Sequence, residues 1–199
     1  TDIQAKAWPI VASGRHCLIT APTGSGKTLT AFLWALDRLI TGAWPSGQTR
    51  VLYVSPLKAL GNDIRRNLIT PLGELALAFK AADRPFPHIG VQTRSGDTPA
   101  DERRKMSRHP PEILITTPES LNILLSSASG EAMLGGIATV ILDEIHALAA
   151  TKRGTHLITA VERLTLLAGE FQRLALSATV KPLEEVADWI AGYRAAGQG

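Results

Sequence analysis

Eight residues, Ala21-Pro22-Thr23-Gly24-Ser25-Gly26-Lys27-Thr28, restrict what this chain can fold into more than any other stretch. Before them runs Cys17-Leu18-Ile19-Thr20, a short apolar segment that favours β structure. After them Leu29, Phe32, Leu33, Leu36, Leu39 and Ile40 recur at the spacing of one helix face. The stretch therefore reads as a strand, a glycine-bearing turn and a helix N-terminus, the setting that a phosphate-binding loop requires. Gly24 and Gly26 let the backbone curl without Cβ clashes and aim successive N–H groups inward. The helix dipole adds partial positive charge at the same place. In that setting Thr23, Gly24, Ser25 and Gly26 wrap the phosphates of ATP, Lys27 reaches the β- and γ-phosphates, and the Thr28 hydroxyl sits on Mg²⁺. Ala21 stands where the G-x-x-x-x-G-K-[ST] pattern has its first glycine, and a small residue there keeps the turn open.

The chain has 199 residues, enough for one large or two small domains. Its apolar share of 45% supports a substantial core. A formal net charge of +3 is too mild to argue for nucleic acid by itself. The single Cys17 excludes an internal disulfide framework and fits a reducing, cytoplasmic setting. No run of apolar residues is long enough to suggest a membrane span. The chain opens on Thr1-Asp2 without an initiator Met, and we expect residues 1–199 to be one domain excised from a longer protein.

Residues 1–9 read as a short helix ending at Pro9, with Ile3, Ala7 and Trp8 turned inward. On it Gln4 offers an amide that can donate to and accept from an adenine edge. Six β-prone segments follow, at 15–20, 50–55, 88–93, 112–116, 139–143 and 172–177. Helical patterns occupy 27–40, 57–67, 99–108, 118–125, 155–168 and 183–190. Runs such as Val51-Leu52-Tyr53-Val54 are how strands buried on both faces read, so the fold class is α/β with a mostly parallel sheet. Polar residues cluster at the strand ends. In an open parallel sheet all those ends share one edge, where ligands bind.

Val140-Ile141-Leu142-Asp143-Glu144 is an apolar strand ending in two carboxylates. Beside a phosphate loop, Asp143 would hold Mg²⁺ opposite Thr28, and Glu144 would orient and deprotonate the attacking water. Lys27, Asp143 and Glu144 are thus the expected catalytic set. His146 follows closely enough to bridge toward Ser177 and Thr179, a group expected to couple hydrolysis to movement.

These blocks together resemble superfamily 2 helicases. The residues 21–28, Ser55-Pro56-Leu57-Lys58-Ala59-Leu60, Thr116-Thr117-Pro118-Glu119-Ser120, Asp143-Glu144-Ile145-His146 and Ser177-Ala178-Thr179 look like motifs I, Ia, Ib, II and III, in order. Thr93-Arg94-Ser95-Gly96-Asp97-Thr98-Pro99 and residues 147–156, with Lys152-Arg153-Gly154, narrow the resemblance to the large helicase-related (Lhr) family. The resemblance implies a three-layer RecA-like domain of an ATP-dependent DNA or RNA–DNA motor in DNA repair or nucleic-acid metabolism, with Gln4 as the Q-motif glutamine. It also implies a second RecA-like domain in the same chain that supplies the arginine fingers.

Under that reading Ser55, Lys58, Arg94, Gly96, Thr117 and the helix start at Pro118 suit the phosphates of a single strand. Glu119 and Ser120 serve equally well as capping and dipole residues. Arg103, Arg104, Lys105 and Arg108 read as a solvated face, and Arg153 as the partner of an acid near the motif II loop. The histidines lack metal-ligand spacing, so no structural zinc is expected, and the tryptophans read as packing. An RNA helicase, a nucleic-acid-binding ATP switch that does not unwind, and a metabolic kinase are the rival readings. The kinase leaves Ser177-Ala178-Thr179 unexplained.

Overall fold

Along the central strands alternate residues bury into opposite layers. The computed structural model describes residues 1–56, 64–149, 151–178 and 183–191. Val51, Tyr53, Ile113, Ile115, Ile141, Leu174 and Leu176 pack on one face of the sheet, and Leu52, Val54, Leu114, Val140, Leu142 and Ala175 pack on the other. Two covered faces explain why these strands read as continuous apolar runs.

The strands are β1 (Cys17–Thr20), β2 (Val51–Val54), β3 (Val91–Arg94), β4 (Ile113–Thr116), β5 (Thr139–Leu142) and β6 (Gln172–Ser177). They form one sheet in the order β1-β6-β5-β2-β4-β3, and every pairing is parallel. All described strand C-termini therefore lie along one edge. The sheet is wholly parallel among the described residues, beyond the mostly parallel expectation.

One layer is built from α1 (Asp2–Ala12), α2 (Lys27–Ile40) and α3 (Thr70–Ala81). Phe32 and Leu36 of α2 and Val11 of α1 are each 0% exposed there. The opposite layer holds α4 (Ala100–Arg108), α5 (Pro118–Leu124), α6 (Ala128–Leu134), α7 (Lys152–Ala168) and α8 (Leu183–Ala191). No described helix is long and apolar enough to cross a membrane.

Several local expectations are corrected. The first helix does not stop at Pro9; it continues to Ala12. Pro9 is exposed, so the carbonyl it leaves unpaired can face water, while Val11 in the next turn is fully buried. The Gln172 amide then fixes the helix end by donating to Val11 O at 2.8 Å and Arg15 O at 2.9 Å. Trp8 is 36% exposed rather than inward, whereas Trp34 and Trp44 pack against the core. The expected helix at 57–67 lies outside the described residues over 57–63. From Ile64 onward the chain is helical, passes through a π-helical turn at Arg65–Ile69, and continues as α3, which the sequence did not announce. Helix α7 starts at Lys152, before the expected 155, because the Thr151 hydroxyl caps it by accepting from Gly154 N–H at 3.1 Å.

Candidate functional site

The glycine loop leaves β1 after Thr20 and ends on α2. Gly24 and Gly26 take φ of +82° and +92°, which only glycine adopts without strain. Gly26 also lies against Gln4: a Cβ there would meet the Gln4 Nε2 at 3.1 Å. This contact brings the Gln4 amide of α1 to the loop. Lys27 is buried, and its Nζ donates to Ala21 O at 2.6 Å and Pro22 O at 2.9 Å. Two of the three ammonium protons are thus held by the loop, and one is left for the space above it.

Asp143 follows β5, two strands away from β1, and is 9% exposed. Its Oδ1 accepts the Glu144 N–H at 2.8 Å, and its Oδ2 accepts the Tyr53 hydroxyl. Tyr53 sits on β2 and stacks on Phe32 at 5.3 Å between ring centroids. The apolar run hid this tyrosine as an ordinary core residue. Its hydroxyl needs a partner when buried, which was the available signal. Glu144 has φ +50° and ψ +41°, the left-handed region. A non-glycine residue there costs roughly 1–2 kcal/mol, and such outliers cluster at functional sites. The bend turns Glu144 out of the strand direction and starts the short helical turn Ile145–Ala147.

Thr23, Gly24, Gly26, Lys27 and Thr28 meet Asp143 and Glu144 around a cavity of about 190 Å³. Arg66 and Asn67, on the π-helical turn, complete its wall. Neither was expected from sequence, where they sat at the end of a plain amphipathic pattern. The donor set fits Mg·ATP: a glycine-bearing loop, an ammonium, a hydroxyl and two carboxylates line one space.

His146 Nδ1 lies 3.2 Å from Glu144 Oε2 and 3.3 Å from Ser177 Oγ, with Ala178 N at 3.4 Å. Ser177 is fully buried at the end of β6, between β1 and β5. The expected link from the acid pair to Ser177 is thus present as a contact. Thr179 lies outside the described residues.

Farther along the edge, Ser55, Arg94, Thr117 and Pro118 are buried. Thr117 caps α5 by accepting from Ser120 N–H at 3.3 Å. An Arg94 N–H donates to Ser95 O at 2.7 Å; burial first, and the Arg103 charge second, pull its guanidinium below the ordinary arginine range. Gly96 is exposed in a turn held by Ser95 N–H donating to Thr98 Oγ1 at 2.8 Å. Arg103 is not simply solvated: its Nε–H donates to Thr98 O at 2.6 Å and fastens this turn to α4. Lys58 lies outside the described residues. Arg153 pairs with Glu119 of α5 at 2.7 Å and reaches Pro56 O at 3.2 Å, so its acid belongs to the α5 start rather than the motif II loop. That hydrogen bond holds the Glu119 carboxyl below its ordinary range and raises Arg153. Both side chains are about half exposed, so the pair contributes little stability. It ties three strand-end loops together.

Residues 1–187 match a family described as DEAD/DEAH box helicase. An Lhr helicase of Mycolicibacterium smegmatis is 55% identical over 194 residues, covering 96% of this chain and 13% of that protein. The ATP-dependent helicase Lhr-Core protein 2 of Thermococcus barophilus is 49% identical over 197 residues, covering 97% of this chain and 23% of that protein. A solved structure of the Mycobacterium smegmatis helicase Lhr bound to ssDNA and AMP-PNP superposes with a TM-score of 0.88 at 53% identity, over 94% of this chain and 24% of that one. The chain thus spans a quarter or less of the length of these relatives.

Proposed function

We propose that this chain, which belongs to the DEAD/DEAH box helicase family, is the ATP-binding RecA-like domain of a longer Lhr-type helicase. Residues 1–199 form that one domain, and a second RecA-like domain lies elsewhere in the same polypeptide. In the whole protein, ATP hydrolysis drives movement along single-stranded DNA, or one strand of an RNA–DNA hybrid, and unwinding. Its place of action is the cytoplasm, at the nucleoid, in nucleic-acid metabolism or DNA repair. The observation that carries this reading is the cavity where Lys27 and Thr28 face Asp143 and Glu144.

Each residue then takes one task. Gln4 reads the adenine edge, and residues 23–28 wrap the phosphates with backbone N–H groups. Lys27 turns its free proton, then its whole ammonium, to the β- and γ-phosphates. Thr28 and Asp143 would hold Mg²⁺, whose charge offsets that of the phosphate oxygens. Tyr53 keeps the Asp143 carboxylate oriented. Glu144 takes a proton from the attacking water. The strand-end residues Ser55, Lys58, Arg94, Gly96, Thr117 and Pro118 line the path of a nucleic-acid strand, with the exposed Gly96 turn and backbone groups making the contacts.

Two substitutions in the full-length protein test this. Lys27→Ala should weaken Mg·ATP at least tenfold, about the loss of one charged hydrogen bond or more. Titration with a fluorescent nucleotide measures it; unchanged affinity with unchanged kcat would overturn the phosphate-loop assignment. Ser177→Ala should leave ATPase near wild type and reduce unwinding several-fold, because the Ser177 hydroxyl contact to His146 is lost. Equal losses of ATPase and unwinding would count against a coupling role.

A further inference from the structure

The sequence places no arginine of this chain on the terminal phosphate; the fold places one on the wall of the nucleotide cavity. Arg66 lines that cavity together with Gly24, Lys27, Thr28, Asp143 and Glu144. It rides on the π-helical turn Arg65–Ile69, between Ile64 and Leu68, which are 6% and 0% exposed and anchor the turn in the core. The anchors pack in the core on the sheet side, and Arg66 and Asn67 between them line the cavity. The wide turn has a local cause. Pro71, in the first turn of α3, has no N–H for the carbonyl four residues back, and its ring collides with that carbonyl. Widening the helix relieves the clash, and Arg66 and Asn67 on the widened turn line the cavity. Wide turns of this kind recur at functional sites.

Charge supports the same placement. Among the described residues Arg66, like Arg104 and Arg108, is exposed and makes no hydrogen bond and no ion pair; of these three it alone lies on the cavity wall. A free guanidinium on a wall shared with two carboxylates and a glycine loop is a fork without its anion, and a phosphate group matches that fork.

We infer that Arg66 is a ligand of the terminal phosphate of a bound nucleoside triphosphate, supplied by this same chain. The inference rests on the nucleotide reading of the cavity. Arg66 grips the γ-phosphate from the side opposite Lys27 and so separates ATP from ADP in binding. Asn67 lies beside it as a neutral donor.

The test compares a non-hydrolysable ATP analogue with ADP, both with Mg²⁺, on the full-length protein. Arg66→Ala should weaken the triphosphate by about tenfold or more, the scale of one charged hydrogen bond, and leave ADP unchanged. Arg66→Lys keeps the charge but loses the fork and should fall between. Lys27→Ala, whose residue reaches the β-phosphate too, should weaken both nucleotides. If Arg66→Ala binds both nucleotides as wild type does, the inference is wrong. If it loses both equally with a lowered Tm, the residue is structural and the inference is again wrong. A wild-type protein that binds neither nucleotide overturns the cavity reading itself, and this inference with it.

Discussion

Alone, this 199-residue chain should hydrolyse ATP about 10³–10⁵-fold more slowly than the full-length protein, the factor that an arginine finger supplies in phosphate-loop enzymes. The chain should fold by itself, because both faces of its sheet are covered by helices that bury two apolar clusters. Its cavity holds Lys27 and Arg66 as cations. Lys27 is partly occupied by its own loop carbonyls, and Arg66 grips the ground state. Arg153, the next arginine after the acid pair, is turned away to Glu119 and Pro56. On the proposed reading, charge that develops only in the transition state is met from a second domain. Mg·ATP should bind weakly, and duplex DNA should not be unwound. Steady-state ATPase with and without single-stranded DNA, beside an unwinding assay, decides it. Robust DNA-stimulated turnover by the monomeric chain would sink the requirement for a second domain.

Glu144→Gln should cut turnover of the full-length protein by ~10²-fold or more, the scale of a lost general base, while nucleotide affinity stays near wild type. The substitution is nearly isosteric, so the left-handed bend at residue 144 should survive it. The contact with Asp143 is also kept, because it is the backbone N–H of residue 144 that donates to Asp143 Oδ1. What changes is the proton acceptor and the charge facing His146 Nδ1 at 3.2 Å. Single-turnover hydrolysis and nucleotide titration separate the two effects. Comparable turnover in the variant would mean that another group activates the water.

The sequence was most legible where one physical signal dominates. Helix α2 has the expected bounds, Lys27–Ile40, because a strict apolar face begins at the glycine loop. The central strands β2, β4 and β5 were visible because two-sided burial leaves nearly unbroken apolar runs. Helix α3 was not announced although Leu72, Leu75, Ala76 and Phe79 recur at helical spacing, because Leu77 and Ala78 on the opposite, exposed face blur that stripe. Helix α6 is short, and its Ala-Ser-Gly start reads as loop. Within the site, the motif residues could be read from their order, but their partners could not. Tyr53 reaches Asp143 from β2 and Arg66 reaches the cavity from the widened helix, and only the sheet order and that turn bring them there.

The placement of β6 between β1 and β5 makes the sheet a gauge. Two interstrand steps, about 9.6 Å, separate the strand that launches the glycine loop from the strand that ends in the acid pair. Backbone bonds hold both ends in the sheet: Ala21 N–H donates to Ser177 O of β6 at 3.1 Å, and Asp143 N–H donates to Val54 O of β2, on the other side of β5, at 2.8 Å. The register pairs Thr20 with Ser177 but Leu142 with Ala175, so the carboxylates sit two residues lower than the loop and form its floor. The width and depth of the opening are thereby written in main-chain geometry. Side-chain substitutions in the loop can alter what is held there without altering how wide the jaws stand. A single inserted residue in β6 would instead shift the register by one, changing the relative height of loop and acid pair and turning Ser177 to the other face of the sheet.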